Sequence, residues 1–174
     1  MKTVASPSAS SMPTIGGDFA LTDHDGRAVS RETYAGRFVL LFFGFTNCRA
    51  VCPRALTRIS AALEMLEDLA GEIQPLYVSV DPERDTPAVM KAFLTARFPR
   101  FTGLTGERHH VDAMKKAFRV FAERAEDPAD PNGYAVPHTA FTYMLDRAGE
   151  YLAHFPDALE ADELASRIRG GVSR

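Results

Sequence analysis

Phe38-Val39-Leu40-Leu41-Phe42-Phe43-Gly44-Phe45-Thr46-Asn47-Cys48-Arg49-Ala50-Val51-Cys52-Pro53 decides how this chain is read. Phe38 to Phe45 is an apolar run without polar alternation, the mark of a strand buried on both faces. Pro53 suits a first helical position. Leu56, Ile59, Leu63, Leu66 and Leu69 then recur at helical spacing until Gly71. Between strand and helix stand the only two cysteines of the chain, Cys48 and Cys52. Thiols this close can share one metal ion or close one short disulfide, and soft thiolates select Cu(I), Zn or redox chemistry over Mg or Ca.

Outward from this stretch the pattern is mixed. Asp25-Gly26 between Phe19–Thr22 and Arg27–Val29 signals an N-terminal β-hairpin. Pro75–Val80 reads as a second buried strand, and Thr86-Pro87 as the cap and first turn of a helix with its stripe on Val89, Phe93 and Ala96. An extended piece at Phe101–Leu104 precedes Thr105, a further cap candidate. The next helix carries Val111, Met114, Phe118 and Phe121. Residues 122–137 are polar and Pro-rich and read as an irregular loop. Strands at Thr139–Leu145 and Tyr151–Phe155 flank a turn at Asp146–Gly149, and a helix at about 160–169 follows. Strand–helix–strand order implies a parallel pair with a crossover helix. The expected fold is α/β, a central mixed sheet flanked by helices, with a flexible tail over residues 1–15 and one domain over 16–174.

Composition narrows the functional classes. The chain has 174 residues, 45% hydrophobic and 25% charged, with a net charge of -3. That balance suits a globular domain, and dispersed Lys and Arg give no support to nucleic-acid binding. No apolar run approaches the ~20 residues that span a bilayer. The Ser-, Ala- and Pro-rich start lacks the apolar stretch of an export signal.

Four ordered motifs resemble the Sco/SenC family: GFTNCRAVCP, SVDPERDTP at Ser79–Pro87, LTG at Leu104–Gly106, and VPHTAFTYMLDRAGEY at Val136–Tyr151. The resemblance covers Gly16 to about Val172. It implies a thioredoxin-like domain binding copper, as Cu(I) or Cu(II), through Cys48, Cys52 and His138. It further implies a metallochaperone that assists assembly of the dinuclear copper centre of cytochrome c oxidase, with the copper-centre subunit of that oxidase or another copper protein as partner. Such members are usually membrane-anchored and face the periplasm or an equivalent extracytoplasmic space, so a membrane partner would enter only through an anchor that this chain lacks. Asn47 stands where many members carry His, Arg49-Ala50 where Pro-Asp is common, and Pro137 where Asp precedes the histidine.

Residue chemistry leaves alternatives. On a regular helix, Cβ atoms at i and i+4 lie ~5–6 Å apart, wider than the ~3.5–4.5 Å of a disulfide. Pro53 disfavours helical geometry at Cys52, which places Cys52 at or just before the helix start, where the dipole lowers a thiol pKa. Arg49 would add to that effect. The bland reading is a pair of packed core cysteines. As a redox pair, Cys48 and Cys52 would serve a thiol-disulfide reductase acting on partner cysteines without copper delivery. A peroxidase-like protein and a zinc site are weaker options. His138 would complete a Cys2His set, with Pro137 orienting its loop. Asp81 would orient a ligand from the end of the second strand, although capping of the next helix explains much of that segment. His24, His109, His110 and His154 read as surface residues. Phe42, Phe43 and Phe45 read mainly as core, with shielding of the site by Phe45 or Tyr143 as the weaker reading.

Overall fold

The computed structural model describes residues 14–48, 51–121, 125–126, 134–135 and 140–173, with backbone alone at Val51 and at residues 125–126 and 134–135. Arg49, Pro137 and His138 therefore lie outside the described residues, as does most of the N-terminal tail.

The elements in chain order are β1 (Ala20–Asp23), β2 (Ala28–Ser30), β3 (Phe38–Gly44), α1 (Val51–Met65), β4 (Ile73–Ser79), α2 (Pro87–Arg97), β5 (Thr102–Thr105) and α3 (Arg108–Ala117). They continue with β6 (Ala125–Glu126), β7 (Tyr134–Ala135), β8 (Phe141–Leu145), β9 (Tyr151–Pro156) and α4 (Ala161–Val172). Seven strands form one mixed sheet in the order β2-β1-β5-β4-β3-β8-β9. β3 lies parallel to β4 from Phe38↔Ile73 to Gly44↔Ser79, and β4 parallel to β5. β8 runs antiparallel to β3, with Phe42 opposite Thr142.

The apolar run of β3 has its explanation in two cores. Phe38, Leu40 and Phe42 pack with Leu56, Ile59 and Leu63 of α1, Met90 and Leu94 of α2, and Leu164 and Ile168 of α4. Val39, Leu41 and Phe43 face the other side, against Val111, Met114 and Phe118 of this layer and Leu21 and Val29 of the hairpin. Alternate side chains of a strand point to opposite faces, so covering both leaves no room for a polar position. All seven residues are buried.

Several boundaries differ from the sequence expectation. α1 starts at Val51, so Cys52 is its second residue and Pro53 its third. Proline costs nothing there, because the first four helical N–H groups have no intrahelical acceptor. The helix ends at Met65, and a 3-10 segment over Glu67–Glu72 carries the chain past Gly71. On α2 the buried residues are Met90 and Leu94, while Val89 is exposed. The α3 cap is Glu107, not Thr105, whose hydroxyl donates to the Asp85 carbonyl at 2.7 Å. Phe121 lies beyond the end of α3 and is exposed. Within residues 122–137, read as an irregular loop, β6 and β7 pair antiparallel. No helix among the described residues is long and apolar enough to cross a membrane.

Candidate functional site

Parallel strands deliver their carboxyl ends to one edge of a sheet, and chemistry in open α/β folds gathers there. At that edge β3 hands over to α1 through Phe45–Ala50, and β4 to α2 through Val80–Thr86. Cys48 belongs to the first connection, and Cys52 to the opening turn of α1 that follows it.

Both are thiols in this structure. Cys48 is half-buried and packs against both cores, and its backbone N–H donates to the Phe45 carbonyl at 3.1 Å. Cys48 Sγ accepts from the Cys52 backbone N–H at 3.4 Å, so the first sulfur lies over the opening turn of α1. Cys52 is fully buried in the α1-side core.

The helix start does not activate Cys52. Hydrogen bonding with Cys48 and burial push its pKa well up, and a charge on Cys48 would push the same way. This runs against the expectation of a lowered pKa: the hydrogen bond with Cys48, and after it desolvation in the core, favour the neutral thiol. The polar neighbours Thr46, Asn47 and Arg49 concealed this inward direction.

The connection between β4 and α2 holds the cysteine loop. Asp85 is fully buried and reaches back across the edge. Its carboxylate accepts from the Thr46 backbone N–H at 3.1 Å, from the Thr46 hydroxyl, and from Ser79 Oγ at 2.7 Å. Burial raises its pKa, against the lowering effect of these donors. Thr86 caps α2 as expected, its Oγ1 accepting from Val89 N–H at 3.3 Å. Asp81 is also buried and pairs with Arg84, while its N–H donates to Ser79 Oγ at 3.0 Å. Asp85 is thus a carboxylate that grips the loop two residues before Cys48. Sequence reasoning missed it because Asp-Thr-Pro already had a local explanation.

Gly44 closes the floor of this edge. A Cβ on it would lie 2.8 Å from Cys52 Sγ and 2.7 Å from the Tyr77 ring, so only glycine lets the sulfur approach the strand so closely. Phe45 is buried, with the Arg84 guanidinium 6.0 Å from its ring centre.

The other histidines are apart from the cysteine pair in the fold. His109 and His110 are exposed on α3 and His154 on β9, as expected. Glu107, His109 and His110 are close enough to share an ion, but they surround the positive end of a helix next to Arg108. His24 departs from the surface expectation: it is half-buried, and its Nδ1 accepts from Gly103 N–H at 3.1 Å.

A mixed sheet with a central parallel pair, helices on both faces and a dithiol at the first strand-to-helix turn defines a thioredoxin-like protein. More narrowly, the chain belongs to the SCO1/SenC family, whose sequence profile matches residues 7–173. It is 38% identical over 156 residues to an SCO2-like protein of Rickettsia felis, covering 90% of this chain and 76% of that one. The structure of Bradyrhizobium japonicum ScoI with copper bound is similar with a TM-score of 0.80 at 36% identity, over 90% of this chain and 98% of that one. Arabidopsis thaliana ScoI with copper bound gives a TM-score of 0.86 at 28% identity, over 91% and 98%.

Proposed function

We propose that this chain binds copper through Cys48, Cys52 and His138 and carries it to the dinuclear copper centre of cytochrome c oxidase. Family membership and copper-bound relatives support the metal. The observation that carries the reading is the placement of two thiols, one half-exposed and one buried behind it, at the carboxyl edge of β3. His138 comes three residues before β8, and β8 enters the sheet opposite the end of β3 at Phe42. Three residues span at most about 10 Å, a short path to the cysteines. Two thiolates and an imidazole suit Cu(I), and Pro137 restricts the approach of the histidine. Delivery would proceed by ligand exchange with cysteines of the oxidase subunit, starting at the accessible Cys48. The working location would be the periplasm or another extracytoplasmic membrane face.

A second reading uses the same asymmetry. Cys48 as thiolate attacks a partner disulfide, and Cys52 then displaces the partner from the mixed disulfide. Two electrons and two protons pass to the partner, and a Cys48–Cys52 disulfide remains. This chemistry needs no His138.

Anaerobic Cu(I) titration against a competing chelator separates the two. Tight binding of one equivalent, clearly weakened in His138→Ala, supports copper carriage. Weak binding, or binding indifferent to His138, overturns it and leaves the reductase.

A further inference from the structure

Tyr77 is fully buried on β4, its ring stacked 6.4 Å from Phe42 and 6.0 Å from Phe93. Phenylalanine would fill that apolar slot equally well, so packing does not account for the hydroxyl. Among the described residues Tyr77 Oη meets no oxygen or nitrogen partner, and the side chain that acts on it as a hydrogen-bond partner is Cys52. Buried phenols normally find an oxygen or nitrogen partner, and a departure calls for a reason. Gly44 shows where the hydroxyl points. A Cβ there would lie 2.8 Å from Tyr77 Oη and 2.8 Å from Cys52 Sγ, so oxygen and sulfur crowd the same side of one glycine.

We infer that Tyr77 is a positioning residue whose hydroxyl donates a hydrogen bond to the Cys52 sulfur across the gap left by Gly44. The consequence for copper rests on the reading of Cys52 as a ligand. A coordinating thiolate in an apolar pocket has no water to share its charge, and a thiolate accepts far better than a thiol. A phenolic O–H supplies the missing donor, fixes the sulfur lone pair in direction and lowers its energy. Outer partners of this kind orient ligands and tune the metal. In the metal-free protein the hydroxyl meets a neutral thiol, a weak acceptor, and the bond strengthens when the sulfur carries charge.

The test compares wild type with Tyr77→Phe, and with Tyr143→Phe as a buried-tyrosine control on the other face of the sheet. In Cu(II)-loaded protein, the sulfur-to-copper charge-transfer band should move to lower energy in Tyr77→Phe, because its donor orbital rises. Cu(I) affinity should fall about 10-fold, and Tyr143→Phe should leave the band in place. An unchanged band with unchanged affinity in Tyr77→Phe overturns the inference. If wild type gives no thiolate–copper band, it is the copper reading that has failed, and the metal-free protein decides. There the infrared S–H stretch of Cys52, isolated in Cys48→Ser, should shift on Tyr77→Phe. A fixed frequency refutes the contact.

Discussion

The connections after β3 and after β4 leave the same sheet edge, from neighbouring parallel strands, into helices with proline in the first turn. They solve the problem of loose polar groups differently. The β4 connection ties many of its polar groups within itself: Asp81 pairs with Arg84, Asp85 N–H donates to the Asp81 carbonyl at 2.9 Å, and Thr86 caps α2. The β3 connection draws its anchor from outside itself, from Asp85, and presents a sulfur to its own helix start. One connection is scaffold and the other carries the thiols. The loop that carries the thiols is held at Thr46 by a carboxylate from the other connection.

Breaking the thiol side should have the largest effect. Cys52→Ser removes a proposed ligand, and Cu(I) competition should show a loss beyond the ~10–100-fold that an outer partner costs. Next is the scaffold: Asp85→Ala strands the Thr46 and Ser79 donors in a buried site and should cost about 2–3 kcal/mol in denaturant unfolding. Gly44→Ala drives a methyl into Cys52 Sγ and the Tyr77 ring. Overpacking of that kind should cost ~1–2 kcal/mol, whereas Gly71→Ala, with open space around it, should be tolerated. Thr86→Ala tests the cap of the β4 connection alone and should cost ~1 kcal/mol without altering metal affinity.

The smallest effect is one of pH. Burial raises the folded-state pKa of Asp85 above the ordinary 3.8. Its contribution is therefore full below the unfolded value and is lost as pH rises through the folded one. Asp85→Asn cannot ionise, so it should gain stability relative to wild type as pH rises above the ordinary 3.8, measured by chemical unfolding across pH.

Much of the scaffold was legible in the sequence, for local reasons. Seven buried residues in β3, the Asp25-Gly26 turn and the Thr86-Pro87 start each announce themselves within a few positions. The thioredoxin-like α/β fold follows from their order. The α2 stripe slipped by one residue because Val89 and Met90 are both apolar, and only the neighbouring strands select between them. Asp85 and Tyr77 were illegible for another reason. One meets a residue 39 positions away, and the other shares a glycine with a sulfur from a different element. Cys52 read as polar from its neighbours in sequence, yet its neighbours in space are core. His138, the remaining proposed ligand, lies outside the described residues, and its case rests on the motif around it and on where β8 enters the sheet.

The most direct measurement is the X-ray absorption spectrum of the Cu(I)-loaded protein and of its His138→Ala variant. Two sulfur neighbours and one nitrogen per copper, with the nitrogen lost in the variant, are the predicted result. A copper shell without sulfur, or a nitrogen neighbour that survives removal of His138, would contradict the account.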